Sequence, residues 1–336
     1  MSDSYASRLS HYPNKGIVGL PENFDTQRAL SNKLKRLTDL VQKSSYTVIL
    51  TGAGISTAAK IPDFRGPKGI WTLEKRREQQ QQKVNNGKQT NGTKRKRPDA
   101  VSSSTSTTTP SCDFSKAQPT LTHHAITALC QQYGKVNFVI TQNVDGLHRK
   151  SGLSRNFHSP VHGCVFTEKC SHCGTEVFFS SQETGGLSFQ PIPGHNCPNC
   201  TSQMHDILLD WEDMVLDLEK CNQECEKADL VICLGTSLRI NPVGSLPLLA
   251  KQFVIVNLQQ TPLDEQAALV IRAKVDDVME HLMIQLGYTK WKNNSAPSIE
   301  QIWQPDNNTE FMEILAYKKD QKQGEAEGKH VKLETS

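Results

Sequence analysis

The sequence predicts an α/β fold built on an open parallel sheet, interrupted by one small metal-binding module. Three observations carry this. Short apolar runs recur at "TVIL" (47–50), "NFVI" (137–140), "LVICL" (230–234) and "FVIV" (253–256). Helical patterns alternate with them, the arrangement of a parallel sheet covered on both faces. Two Cys-x2-Cys pairs, Cys170/Cys173 and Cys197/Cys200, break the alternation once.

The elements follow in order. Residues 1–26 form an N-terminal extension with no basic start ahead of an apolar stretch, so no secretory signal is expected. Over residues 27–43, Leu30, Leu34, Leu37, Leu40 and Val41 share one helical face. The strand at 47–50 then runs into Gly52-Ala53-Gly54, and Ser56-Thr57-Ala58-Ala59 can begin a helix. From 76 to 111 the chain is rich in Gln, Asn, Ser and Thr and nearly free of large apolar residues, which predicts a disordered insertion. Thr120 can cap a helix over residues 121–133, and the strand at 137–140 ends in Thr141-Gln142-Asn143. The strand at 230–234 meets Gly235-Thr236-Ser237, and the one at 253–256 meets Asn257-Leu258-Gln259. A helix over 275–286 stops at Gly287, and residues 288–336 read as a flexible tail.

Composition narrows the class. The 336 residues carry a net charge of +3, too mild to argue for direct DNA binding. No apolar stretch approaches the ~18 residues of a membrane span. Six of the ten cysteines are scattered, which fits a reducing compartment, nuclear or cytosolic, better than a disulfide framework. The paired four can surround one Zn2+ tetrahedrally and leave no position for water, so that site is structural. It belongs to a module at 163–205.

Ligands of open parallel sheets bind outside the carboxyl ends of the strands. Gly52, Gln142, Gly235 and Asn257 lie at four such ends and are expected to ring one cleft of a Rossmann-like sheet. A dehydrogenase would carry a third glycine in the first turn, where Thr57 stands, and an acidic residue at the end of a second strand. Pro62 and the polar loop Asp63-Phe64-Arg65-Gly66 leave no room for that strand. His162 precedes the module where it leaves the sheet, a position on the cleft wall.

"GAGISTAAKIPDFRG", "TQNVDGLH", "HG" ahead of the cysteine pairs, "GTSL" and "VNLQ" occur in the order that resembles the sirtuins, NAD-dependent protein deacylases. The resemblance covers about residues 27–287. "YPNKGIVGLPENFD", "LLDWED" and "PVGSLPL" look like the nuclear, class IV branch of that family.

The resemblance implies that NAD+ is consumed as a cosubstrate. An acyl-lysine carbonyl attacks the ribose as nicotinamide leaves, and a base then takes a proton from a ribose hydroxyl. His162 matches that base, and Asn143 and Asp145 match residues that orient nicotinamide and ribose. Ala53, Thr57, Asp63, Phe64, Arg65 and Trp71 match the phosphate turn and cofactor loop, with Gln142 beside the ribose. Gly235, Thr236, Ser237, Asn257, Gln259 and Val275 match the adenosine side, and Cys170, Cys173, Cys197 and Cys200 the zinc ligands. It further implies acylated protein lysines, on histone tails in chromatin, as partners, and the nucleus as location. The run Lys94–Arg97 resembles an import signal. Two departures flank the base: Pro160 stands where the family has Glu, and Cys164 where it has Asn. They favour a slow NAD-binding chromatin module as an alternative to deacylation; mono-ADP-ribosyl transfer is a second alternative on the same fold.

Overall fold

The structure is a computed structural model that describes residues 8–10, 12, 15–88, 113–291, 300–305 and 310–319. Helix α1 (Gln27–Lys43) starts at Thr26, whose side chain accepts from the Ala29 amide, and buries Leu34, Leu37 and Val41. Strand β1 (Thr47–Thr51) is buried throughout. Two 3₁₀ turns, Ala53–Ile55 and Thr57–Ala59, follow it in place of a longer helix. Lys60, at φ 66°, ends the second turn, and Pro62 prevents its extension.

Helix α2 (Ile70–Lys88) corrects the expectation of disorder from residue 76. The side chains from Lys75 to Lys83 are all exposed, so the segment adds no core. Glu, Arg, Gln and Lys nevertheless favour helix without burial. The rest of the insertion to residue 111, with Lys94–Arg97, lies outside the described residues.

Helix α3 (Leu121–Thr127) opens on a capping box between Thr120 and His123. It widens into a π turn, Ala128–Gln132, instead of running as one α-helix to residue 133. Strand β2 (Phe138–Thr141), a short helix α4 (Leu147–Lys150) and strand β3 (His158–Pro160) follow. The small module holds β4 (Thr167–Cys170), β5 (Glu176–Phe179), β6 (Pro191–Asn196) and β7 (Gln203–Asp206). The chain then returns through α5 (Leu218–Lys227), β8 (Leu230–Leu234), β9 (Phe253–Val256), β10 (Leu269–Ile271) and α6 (Val275–Gln285).

The main sheet is parallel, in the order β10-β9-β8-β1-β2-β3. Strand periodicity divides its residues between two cores. Ile49, Val139, Ile232 and Val254 pack against α1, α3 and α6. Val48, Leu50, Ile140, Val231, Cys233 and Ile255 pack against Cys221 and Cys225 of α5 and the Val243–Leu249 turn.

The expected flexible tail is corrected where residues 288–291, 300–305 and 310–319 are described, and the rest of it lies outside the described residues. Trp291 is buried, β11 (Glu300–Trp303) pairs antiparallel with β5, and residues 310–319 are helical. That strand completes a five-stranded sheet, β11-β5-β4-β7-β6. Phe311, Ile314 and Leu315, at helical spacing, pack into the core beneath the module. A buried junction ties the layers: Arg155 grips Glu176 of β5 at 2.8 Å and Asp217 at 2.7 Å.

Candidate functional site

The carboxyl ends of β1, β2, β8 and β9 open on one cleft of about 710 Å³, counted with the open solvent at its mouth. Gly52, Gln142, Gly235 and Asn257 all line it, so four strand ends ring one cavity. Their mutual approach explains the glycines. A Cβ on Gly54 would stand 2.7 Å from the Gly235 Cα, and one on Gly52 2.7 Å from the Thr236 Cβ. Only bare backbone lets the β1 and β8 loops meet and leave the cleft open between them.

Of the sequence-predicted residues, Ala53, Asp63, Phe64, Arg65, Trp71, Gln142, Asn143, His162, Gly235, Thr236, Ser237, Asn257 and Gln259 converge on this cleft. Three do not. Thr57 is exposed and turns its hydroxyl back to the Gly54 carbonyl, 3.0 Å away. Val275 begins α6 and is buried in the core beside α1 and α3. Asp145 is buried behind the cleft, in a small cavity shared with His148, His158 and Cys164. Trp211 and Ile240 line the cleft without having been singled out for it. The unusual "LLDWED" segment was the available signal for Trp211.

His162 follows β3 at a sharp reversal. The Gly163 amide donates to the Pro160 carbonyl, and Gly163 sits at φ 85° with the Ile207 carbonyl against it. The half-buried imidazole places Nδ1 3.2 Å from the Gln142 carbonyl. A carbonyl only accepts, so Nδ1 carries the proton and Nε2 is left as an acceptor. Burial lowers the pKa of His162 to about 4, and the bond to Gln142 opposes this only in part. The ring is therefore a neutral base at physiological pH.

Asn143 and Asp145 act together through a third residue. The Asn143 side-chain amide lies 3.1 Å from the Gly52 carbonyl and 3.2 Å from Ser56 Oγ. Ser56 Oγ in turn donates to Asp145 at 2.6 Å, and the Leu147 amide donates to the same carboxylate at 3.0 Å. Burial raises the pKa of Asp145, while the Ser56 and Leu147 bonds pull it down. Asp145 thus positions Ser56 and Asn143 and does not itself face the cleft.

The loop after β1 brings charge. The Asp63 carboxylate accepts the Gly66 amide at 3.0 Å. The Arg65 guanidinium lies 4.4 Å from the Trp71 ring centroid, and its buried Nε has no hydrogen-bond partner among the described residues. Burial, then the neighbouring Arg239, lower its pKa to about 10, so it stays charged at neutral pH. A desolvated cation with an unmet donor suits an anionic ligand.

The four cysteines meet away from this cleft. Their sulfurs all lie within 4.8 Å of one another, with Sγ–Sγ separations of 3.5 Å (Cys170–Cys200), 3.6 Å (Cys173–Cys197) and 3.4 Å (Cys173–Cys200). Tetrahedral zinc at ~2.3 Å from sulfur needs edges of about 3.8 Å, so the set fits with little adjustment. The amides of His172 and Asn199 point at Cys170 and Cys197 sulfurs at 3.4 Å, which favours thiolates.

A parallel sheet with a ligand cleft at its strand ends, a neutral histidine on the wall and an inserted four-cysteine module defines a nucleotide-binding α/β protein with a structural metal site. The profile of the Sir2 family matches residues 52–242, and the chain belongs to that family. It is 41% identical over 302 residues to the NAD-dependent protein deacetylase Sirt6 of Drosophila melanogaster, covering 85% of this chain and 86% of that protein. It is also 41% identical to the NAD-dependent protein deacetylase SRT1 of Arabidopsis thaliana, covering 85% of this chain. The chain spans just over half of the plant relatives it matches, 56% of the Arabidopsis protein and 55% of its rice counterpart. Among solved structures, a Sir2 complex with a p53 peptide and NAD+ superposes with a TM-score of 0.52 at 27% identity, over 76% of this chain and all of that one. No helix among the described residues is long and apolar enough to cross a membrane.

Proposed function

We propose that this chain is an NAD+-dependent protein-lysine deacylase acting in the nucleus on acylated histone tails. The observation that carries the reading is a neutral His162, its Nε2 left as an acceptor, on the wall of a cleft that also holds a buried arginine whose Nε has no hydrogen-bond partner among the described residues. Relatives named as NAD-dependent protein deacetylases, and the Sir2 complex with peptide and NAD+, support it.

Bound NAD+ supplies an activated bond between nicotinamide and ribose. Arg65 and the glycine turn at Gly52–Gly54 hold the pyrophosphate, the arginine by charge and the turn by close backbone approach. Gly235, Thr236, Ser237, Asn257 and Gln259 face the adenosine. Asn143, fixed through Ser56 by Asp145, orients the nicotinamide end. His162 Nε2 takes the proton of a ribose hydroxyl while Gln142 steadies the positive ring through Nδ1. Cys170, Cys173, Cys197 and Cys200 hold one zinc ion that keeps the module folded and takes no part in the chemistry.

Single-turnover nicotinamide release, followed with and without an acylated histone peptide, tests the reading. Release that requires the peptide and yields free lysine is expected. Release that instead labels a protein side chain with ADP-ribose would move the assignment to mono-ADP-ribosyl transfer. Absence of both, with NAD+ still bound, would leave a binding module only.

A further inference from the structure

We infer that Asp213 and Lys318 form a positioning pair that sets the His162 side of the cleft for the acylated peptide; this rests on the deacylase reading above. Residues 208–213 build that wall. The Leu209 amide donates to the His162 carbonyl at 3.3 Å, and Trp211, two residues on, lines the cleft. The turn is fixed from within by Asp213, whose carboxylate accepts the Asp210 amide and the Ser188 hydroxyl, both at 2.8 Å, and pairs with Lys318.

The Asp213 side chain is 2% exposed, so its charge depends on these partners. Lys318 is delivered by the 310–319 helix, which anchors itself through Phe311 and Ile314 in the cluster that holds Leu208 and Leu209. Phe311 meets Phe189 edge to face at 5.7 Å. From the opposite side, Ser10 binds Asp210 through its amide and hydroxyl, Trp211 Nε1 donates to the Ser10 carbonyl at 3.0 Å, and Tyr12 stacks on Trp211 at 4.5 Å. The turn 208–213, which bonds the His162 backbone through Leu209, is therefore clamped between two segments about 300 positions apart in sequence.

The clamp bears unequally on the two substrates. Arg65, Gly235–Ser237, Asn257 and Gln259 stand on the loops after β1, β8 and β9, outside the clamped turn. Trp211 lines the cleft together with His162, the side to which the deacylase reading brings the acylated peptide. Loss of the Lys318 charge leaves Asp213 buried with two neutral donors, and the wall loosens; Trp211 meets the Trp71 ring at 5.3 Å, but the β8 and β9 loops that carry Gly235–Ser237, Asn257 and Gln259 keep their supports.

The test uses the full chain with Lys318→Met, Lys318→Arg and the double variant Asp213→Asn/Lys318→Met, which removes the stranded charge if the single variant folds poorly. Hydrogen exchange of residues 208–213 in the free protein reads the wall without reference to activity. Faster exchange there in Lys318→Met is expected, with a Michaelis constant for acylated peptide raised about fivefold or more and that for NAD+ changed less than about twofold. Lys318→Arg should restore both. Unchanged exchange in Lys318→Met and in the double variant, or parallel rises in both constants, would overturn the inference. Wild-type protein that fails to deacylate would instead remove the deacylase reading, and the exchange arm would still judge the clamp.

Discussion

Replacing Arg155 with Met removes the cation that joins the main sheet, the small module and the segment after α6. Its guanidinium reaches Glu176 through Nε and Nη2 at 2.8 and 3.1 Å, Asp217 at 2.7 Å and the His158 carbonyl at 2.6 Å. It also lies 4.6 Å from the Trp303 ring centroid. The Arg155 and Glu176 side chains are each 3% exposed, so Arg155→Met strands buried carboxylates instead of freeing solvated ones. Breaking a pair of this kind costs about 3–5 kcal/mol. Lys169, 3.3 Å from Glu176, offsets part of that. At roughly 2–4 °C per kcal/mol for a domain of this size, Tm should fall by about 10 °C.

The same network fixes the acid dependence. Against the upward push of burial, Arg155 holds Asp217 at about 2 and Glu176 below its usual value. Folded values below the unfolded ones, about 3.9 and 4.3, stabilise fully above the unfolded pKa, and that stability drains as pH falls toward 2. Urea unfolding at pH 7, 5 and 3 checks both effects. The wild type should lose stability between pH 5 and 3, and Arg155→Met should start lower and lose less. Arg155→Met/Glu176→Gln should recover part of the deficit, since it removes one stranded charge. A single variant within about 1 kcal/mol of wild type at pH 7 would refute the reasoning.

Four further outcomes follow from the site. His162→Ala should abolish deacylation while keeping NAD+ affinity within about tenfold, ~1.4 kcal/mol. Because the neutral ring is the active form, kcat/KM of the wild type should hold down to about pH 5 and fall as pH drops through about 4; an acid limb near 6.5 would contradict the desolvation of the half-buried ring. Cys170→Ala, or strong chelation, should lower Tm and activity together, and soluble active protein without zinc by metal analysis would contradict a structural site. Gly163→Ala should unfold the turn that carries His162, because a Cβ there would stand 1.9 Å from the Ile207 carbonyl at φ 85°; a wild-type melting curve would contradict it.

The central strands were legible because burial on both faces demands continuous apolar runs, as in β1 and β8. Strands β3 and β10 were not, since each is three residues long at a sheet edge and β3 reads His-Ser-Pro. Strand β4, Thr-Glu-Lys-Cys, is buried despite its charges because Lys169 pairs with Glu176 and His195 with Glu168, which a single sequence does not display. Helix α2 and the 310–319 helix were hidden by polar composition, which reports the lack of a core and not the lack of a helix. In the site, the four strand ends were readable from small polar residues after apolar runs. Thr57 and Val275 came from resemblance alone, and local backbone turns both away from the cleft. For Trp211 the unusual "LLDWED" segment was the one signal, and it does not locate the ring, whose place depends on contacts with Ser10 and Tyr12, far away in the chain.

The edge strand β11 gives the small module an unusual assembly history. Its metal site needs nothing beyond Cys200, whereas its sheet is complete only when residues 300–303 pair with residues 176–179. On a ribosome adding ~5–20 residues per second, those events are separated by roughly 5–20 seconds. In that interval the metal can already hold the knuckles together, while β5 presents an open edge and Arg155 lacks the Trp303 ring that covers it. The nascent chain is therefore most prone to wrong pairing after the metal is captured and before its last strand emerges.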